Sequence, residues 1–224
     1  MKIGGLQKFS ILDYPGKVSC IVFCRGCLLK CHYCHNKNLQ NFSGLEEITE
    51  DELMNFLANR KGLLDAVVFS GGEPLCQQDL YHFMFHMKHS NGFLIGLHTS
   101  GCIYEQFLKV LDVVDWIGFD IKTEFEDYEK ITQVPNSGDQ ALKSFLALVG
   151  SKANFEVRTT YDPRFITDNN MINVAKFLAN NNVERWIIQE CILRNNGKTN
   201  EKLSLPNKNL ITKLNKIINI EIRK

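Results

Sequence analysis

The chain has 224 residues, 44% hydrophobic and 23% charged, with a formal net charge of +1. That balance is ordinary for a globular protein long enough to bury a real core, and it excludes a global basic field that would gather nucleic acid or an anionic membrane. No apolar run approaches the roughly eighteen residues needed to span a bilayer, and Met1-Lys2-Ile3-Gly4-Gly5 lacks a leader's apolar stretch. A cytoplasmic protein with reduced thiols is expected, with neither nucleic acid nor membrane as partner.

Short β-rich runs alternate with longer helical patterns. Val18–Phe23 reads as a strand and feeds a cysteine-rich loop over 24–36. Thr49-Glu50-Asp51-Glu52 supplies an N-cap and an acidic first turn for a helix over Thr49–Arg60. Strands are then expected at Ala66–Phe69, Phe93–His98, Trp116–Ile121, Asn154–Thr160 and Arg185–Gln189. Helices are expected between them at Gln77–Ser90, Tyr104–Leu111, Gln140–Val149 and Asn170–Ala179. From about residue 195 the chain is rich in Asn and Lys, and Leu210–Ile218 has helical spacing, so 195–224 reads as a helical tail packed on the outside. The alternation argues for βαβ units around a parallel sheet. The strands are continuous apolar runs, as both faces of such a sheet are covered. Six units are two short of a closed eight-fold barrel. On pattern alone, an open barrel and a doubly wound sheet both remain. The whole of 1–224 reads as one domain.

Cys27, Cys31 and Cys34 carry the chemistry, in a C-x3-C-x2-C spacing. Three thiolates in one short loop leave one iron of a cubane cluster open to another ligand. A structural zinc site takes four closed ligands. Cys24 makes Cys24-x2-Cys27 and Cys31-x2-Cys34 a rival zinc arrangement, but three residues separate the pairs where such sites usually carry a dozen or more. Ligands of α/β sheets bind at the carboxyl ends of strands, and other polar motifs fall there: Gly71-Gly72-Glu73, Thr99-Ser100, and Asp120 with Lys122. The two glycines would let backbone pass close to a ligand, and Glu73 would accept hydrogen bonds from a cationic amine. Asp120 and Lys122, two apart, point to one side of a strand. Arg158 offers a two-pronged hold on a carboxylate, or a bridge to Glu73 or Asp120.

The run Phe23-Cys24-Arg25-Gly26-Cys27-Leu28-Leu29-Lys30-Cys31-His32-Tyr33-Cys34-His35-Asn36 resembles the cluster loop of radical S-adenosylmethionine (SAM) enzymes. The His35-Asn36 extension, Gly5-Leu6-Gln7-Lys8-Phe9-Ser10 and Asp13-Tyr14-Pro15-Gly16 resemble the glycyl-radical-activating branch. Within it, the activating proteins of anaerobic ribonucleoside-triphosphate reductase are nearest, with those of pyruvate formate-lyase as relatives. The resemblance implies a partial (β/α)6 barrel over about residues 3–190. It implies a [4Fe–4S] cluster on Cys27, Cys31 and Cys34. SAM would be held by Gly71, Gly72, Glu73, Thr99, Ser100, Asp120, Lys122 and Arg158, with Tyr33, His35 and Asn36 beside it. It also implies a glycyl-radical enzyme as partner and a flavodoxin or ferredoxin as electron donor.

Two departures matter. Relatives carry Asp where His98 stands, so the cation site some of them build there does not carry over. Activators of pyruvate formate-lyase carry a His after the sixth strand, where this chain has Ile188-Gln189-Glu190-Cys191; that favours the reductase-activating branch. Asp13 is the residue expected to face the partner's glycine loop. Cys20, Cys76 and Cys102 read as buried apolar thiols. His82, His86 and His89 read as a solvated helix face. A radical SAM enzyme acting on a small molecule and a zinc-binding interaction module are the competing functions.

Overall fold

A computed structural model describes residues 1–44, 48–193 and 201–224. In chain order the strands are β1 Ile3–Ser10, β2 Ser19–Cys24, β3 Ala66–Gly71, β4 Leu94–Thr99, β5 Trp116–Asp120, β6 Asn154–Tyr161, β7 Arg185–Glu190, β8 Ile192–Leu193, β9 Glu201–Lys202 and β10 Asn219–Arg223. The helices are α1 Glu50–Ala58, α2 Leu80–Asn91, α3 Tyr104–Val110, α4 Tyr128–Thr132, α5 Ser137–Val149, α6 Asp168–Asn180 and α7 Lys208–Leu214. One sheet runs β1-β2-β3-β4-β5-β6-β7-β10, and β8 pairs with β9 apart from it. Neighbours from β2 to β7 are parallel, β1 is antiparallel on β2, and β10 is parallel on β7. This is the expected six-unit partial barrel, extended by one strand at each edge.

Alternation along the strands builds the two faces. Val67, Phe69, Ile95, Leu97, Ile117 and Phe119 join the main core with the helices. Phe69 and Phe119 are fully buried, each worth about 1.5–3 kcal/mol relative to exposure. Ala66, Val68 and Trp116 face the other way and form a small cluster with Tyr14, from the β1–β2 connection. A Cβ on Gly96 would lie 3.2 Å from the Tyr14 ring. Tyr14 therefore closes the floor of the barrel's interior.

The helix signals hold with adjusted ends. Thr49 caps α1: its side chain accepts from the Glu52 amide at 3.2 Å, and Glu52 accepts from the Thr49 amide at 2.8 Å. That reciprocal pair is worth about 1 kcal/mol. The helix expected from Gln77 begins at Leu80, because Pro74–Cys76 forms a 3₁₀ turn first. The helix expected from Gln140 begins at Ser137.

The helical tail is corrected at its end. Among its described residues only Lys208–Leu214 is helical, and Asn219–Arg223 is a strand. Ile220 and Ile222 alternate with Glu221 and Arg223, a period-two pattern masked by the Lys- and Asn-rich surroundings. The stretch 194–200 of the expected tail lies outside the described residues. No described helix is long and apolar enough to cross a membrane.

Candidate active site

The cysteine loop is fixed on several sides. The Gly26 amide donates to the Leu39 carbonyl at 2.7 Å and the Cys27 amide to Gln40 at 3.1 Å. The Lys30 amide donates to Thr132 at 2.9 Å and the His32 amide to Ile131 at 3.3 Å, tying the loop to α4. Gln133 Nε2 adds a bond to the Lys30 carbonyl. The His32 ring stacks on Phe165, centroids 4.4 Å apart and 7° from parallel, which ties the loop to the connection after β6. So held, Cys27, Cys31 and Cys34 line one cavity of about 350 Å³ at the carboxyl ends of the strands, large enough for a small ligand. Burial raises the Cys27 and Cys31 thiols above their ordinary range; Glu73 adds to the rise at Cys27, and Lys122 opposes it at Cys31.

Gly71 and Gly72 line the cavity, and their lack of a side chain is also required by the packing behind them. Gly71 has φ +109°, and a Cβ on it would stand 2.6 Å from the Cys24 amide nitrogen. A Cβ on Gly72 would stand 2.4 Å from the Gly26 carbonyl oxygen. The glycines let this turn lie against the root of the cysteine loop, where the Gly72 amide donates to Cys24 at 2.8 Å and the Glu73 amide to Gly26 at 2.9 Å. The turn places Glu73 on the wall of the same cavity.

The Glu73 carboxylate is buried and receives four neutral donors. Oε1 accepts from the Leu75 amide at 3.2 Å and Thr99 Oγ1 at 2.6 Å. Oε2 accepts from the Ser100 amide at 3.0 Å and Ser100 Oγ at 2.6 Å. Among the described residues no lysine or arginine pairs with it, so a buried negative charge faces the cavity without a counter-ion. Thr99 and Ser100, expected as ligand contacts, line the cavity but give their hydroxyl protons to Glu73.

Elsewhere on the cavity wall Arg158 Nε donates to Asp120 Oδ1 at 2.9 Å, and Lys122 Nζ lies 3.4 Å from Asp120 Oδ2. This decides among the pairings open to Arg158 in favour of Asp120. Burial alone would raise the Asp120 pKa, but Arg158 and Lys122 together hold it below the ordinary value. Burial works against the Lys122 charge, yet Asp120, Tyr33 and Cys31 raise its pKa well above normal. The Lys122 ammonium sits 5.9 Å from the centre of the Tyr33 ring. Tyr33 is buried, and its hydroxyl has no hydrogen-bond partner among the described residues. His98 Nε2 bonds the Asp13 carbonyl at 3.0 Å; a carbonyl only accepts, so this nitrogen carries the proton.

Every site residue named from the sequence therefore lines this cavity, His35, Asn36 and Asp13 included. Sequence reasoning missed Thr160, Glu190 and Gln40 on the wall. Thr160 was legible as the same-face neighbour of Arg158 on β6; Gln40 depends on the loop's path and left no signal. Cys24 is fully buried and Cys20 and Cys102 are buried, whereas Cys76 is partly exposed, contrary to its expected place in the core. His82, His86 and His89 stand on an exposed face of α2.

The donor set suits an iron–sulfur cluster. Among the described residues no three His, Cys, Asp or Glu side chains converge on a single ion, as zinc requires with sulfurs about 2.3 Å from one metal. A cluster gives each cysteine its own iron and spreads the ligands wider, which the three thiols around one cavity satisfy. The unpaired Glu73 carboxylate and the Arg158 guanidinium suit the amine and carboxylate of an amino acid such as SAM's methionyl part.

A protein-family model described as the radical SAM superfamily matches residues 21–178. The chain belongs to that superfamily, and its cofactors are a [4Fe–4S] cluster and SAM. Its sequence relatives place it, as an enzyme, with the activating enzymes of glycyl-radical enzymes. It is 29% identical to "Putative glycyl-radical enzyme activating enzyme MJ1227" of Methanocaldococcus jannaschii, over 96% of this chain and 90% of that one. It is 30% identical to the pyruvate formate-lyase-activating enzyme of Staphylococcus aureus, over 82% and 78%. The Clostridium pasteurianum pyruvate formate-lyase-activating enzyme is 31% identical over 66% and 63%. Among solved structures, Streptococcus suis SuiB bound to S-adenosylmethionine superposes with TM-score 0.64 at 13% identity, over 91% of this chain and 52% of that one. A domain of pyruvate-formate lyase-activating enzyme from Bacteroides vulgatus gives 0.55 at 16%, over 71% and 99%. At such identities the likeness concerns the fold alone.

Proposed function

We propose that this protein generates a glycyl radical on a partner enzyme, and that the partner is an anaerobic ribonucleoside-triphosphate reductase. The observation that carries the radical SAM part of this reading is the convergence of Cys27, Cys31, Cys34 and Glu73 on one cavity; the similarity to glycyl-radical activating enzymes supports the activase part. When bound, the cluster and SAM supply a 5′-deoxyadenosyl radical able to take a hydrogen atom from a glycine Cα.

Each wall has a task in this scheme. Cys27, Cys31 and Cys34 give up their thiol protons and hold the cluster. Glu73, fixed by Thr99 and Ser100, receives the SAM amine. Arg158, fixed by Asp120, receives the SAM carboxylate, and Lys122 adds positive charge on that side. Tyr33, His35 and Asn36 bound the space for the adenosyl group. Asp13, beside His98 on the floor, meets the partner's glycine loop. A flavodoxin or ferredoxin delivers the electron, and the work is done in the cytoplasm.

The names of the relatives favour a second partner class, pyruvate formate-lyase. Against it stands Gln189, a cavity residue at the position region where those activators carry a His. The test is to incubate the reconstituted, reduced protein and SAM with each candidate partner. A glycyl-radical EPR doublet on the reductase alone supports the proposal; a doublet on the lyase alone replaces it.

A further inference from the structure

Arg158 stands between two carboxylates. Above it Asp120 accepts from Nε at 2.9 Å. Below it the buried Glu156 lies 4.0 Å from Nη1. The guanidinium also lies close against Gly118, where a Cβ would be 2.7 Å from Cζ, and Nη2 donates to the Gly118 carbonyl at 3.2 Å. No side chain at Gly118 keeps Arg158 from either acid.

Glu156 is nonetheless satisfied from elsewhere. β10 brings in Arg223, whose Nη1 and Nη2 donate to the two Glu156 oxygens at 2.7 and 3.0 Å. Paired hydrogen bonds of this planar kind are among the strongest a carboxylate can make. The other nearby cation, Arg185, is 4.0 Å from Glu156 and already held by Glu221 at 3.0 Å. Take Arg223 away, and the buried Glu156 is left with two arginines at 4.0 Å, each already held by another acid: Arg185, half exposed and paired with Glu221, and Arg158, buried beside it and paired with Asp120. Arg158 is the one that can reach Glu156 without leaving the interior. A buried unpaired charge is costly enough to move a side chain.

We propose that Arg223 is a positioning residue: by occupying Glu156 it leaves Arg158 with Asp120, on the wall of the cofactor cavity. The strand β10 thereby acts on a site it does not touch. The effect on SAM rests on the reading of Arg158 as partner of the SAM carboxylate; the placement of Arg158 does not.

The test uses reconstituted wild type, R223M, R223K, E156Q, the double variants R223M/E156Q and R223K/E156Q, and R158Q. Two quantities are read: SAM affinity by equilibrium binding, and the Arg158–Asp120 contact in crystals of R223M. R223M is expected to turn Arg158 toward Glu156 and weaken SAM about tenfold, or about 1.4 kcal/mol. R223K retains the charge and recovers part of the loss. R223M/E156Q removes the competing carboxylate and returns to within about threefold of wild type, a non-additivity that mere loss of packing does not produce. The proposal is overturned if Arg158 keeps its 2.9 Å bond to Asp120 in R223M, or if the double variant binds as weakly as R223M. Should R223M fail to fold, R223K is read in its place: a lengthened Arg158–Asp120 contact with weakened SAM binding that R223K/E156Q restores upholds the proposal, and an unchanged contact overturns it. An R158Q enzyme that binds SAM normally would reject the carboxylate role of Arg158, while a displaced Arg158 in R223M would still uphold the relay.

Discussion

Glu73 and Ser100 are joined twice through one carboxylate oxygen: the Ser100 amide and hydroxyl both donate to Oε2, at 3.0 and 2.6 Å. With Thr99 on the other oxygen, the carboxylate is held rigidly in place with no cation beside it among the described residues. Such an arrangement favours an incoming cation over a neutral ligand. Glu73→Gln keeps the size but loses the charge and faces the same donors with an NH₂ group. It is expected to retain its iron and to bind SAM at least about tenfold more weakly, since a hydrogen-bonded charge pair in a cavity is worth about 1.5–3 kcal/mol. Unchanged SAM affinity, measured by calorimetry, would remove Glu73 from the amine site.

Gly72 and Gly26 meet without room for a methyl group. Gly72→Ala must push the Gly26 carbonyl away, and Cys27 is the next residue. Overpacking of this sort costs about 1–3 kcal/mol. A lower melting temperature and reduced iron uptake are expected together. A variant with wild-type iron content would show that the cysteine loop tolerates movement at its root.

His98 makes stability depend on pH. Burial, then the nearby Arg158 charge, lower its pKa from 6.5 to about 3. The unfolded chain takes up a proton below about pH 6.5 that the folded chain refuses. The contribution is therefore fully present above pH 6.5 and is lost as the pH falls from there toward 3. Between pH 7 and 5 it amounts to at most about 2 kcal/mol, softened because part of the ring is open to the cavity. Urea unfolding of wild type and His98→Gln at both pH values isolates it. The difference between the two proteins should shift in favour of His98→Gln at pH 5, and an unchanged difference would mean that the imidazole charges freely in the fold.

His32 and Phe165 form a bridge from the cysteine loop to the far side of the barrel opening. Phe165→Ala removes a stacked pair worth about 0.5–1.5 kcal/mol. The iron-loaded protein is expected to form but to lose its cluster faster in air, followed by the decay of visible absorbance. Equal decay would mean that the tether to α4 is enough.

The chain's periodicities made the parallel core legible, because strands covered on both faces are plain apolar runs and the intervening helices carry caps such as Thr49. β1 and β10 escaped for a common reason. Ile3–Ser10 holds two glycines and a polar stretch, and Asn219–Arg223 alternates within a Lys- and Asn-rich segment; both are edge strands, whose pattern is set by one neighbour only. The cavity residues were legible through their place just after strands. Their mutual bonding was not. Nothing in Gly71-Gly72 says that its space is taken by Cys24 and Gly26, and nothing in Thr99-Ser100 says that both hydroxyls serve Glu73. Those facts depend on register between β2, β3 and β4, which no local pattern encodes. Arg223 is the extreme case, since its partner Glu156 lies on a strand two places away in the sheet.

The measurement that decides most is made on anaerobically reconstituted protein reduced with dithionite: iron and sulfide content, the EPR spectrum with and without SAM, and formation of 5′-deoxyadenosine. About four irons per chain are expected, with a signal that changes on adding SAM and 5′-deoxyadenosine formed, all lost when Cys34 is replaced by Ala. A colourless protein holding one zinc, with no nucleoside formed, would contradict the assignment of Cys27, Cys31 and Cys34 to a radical-generating centre.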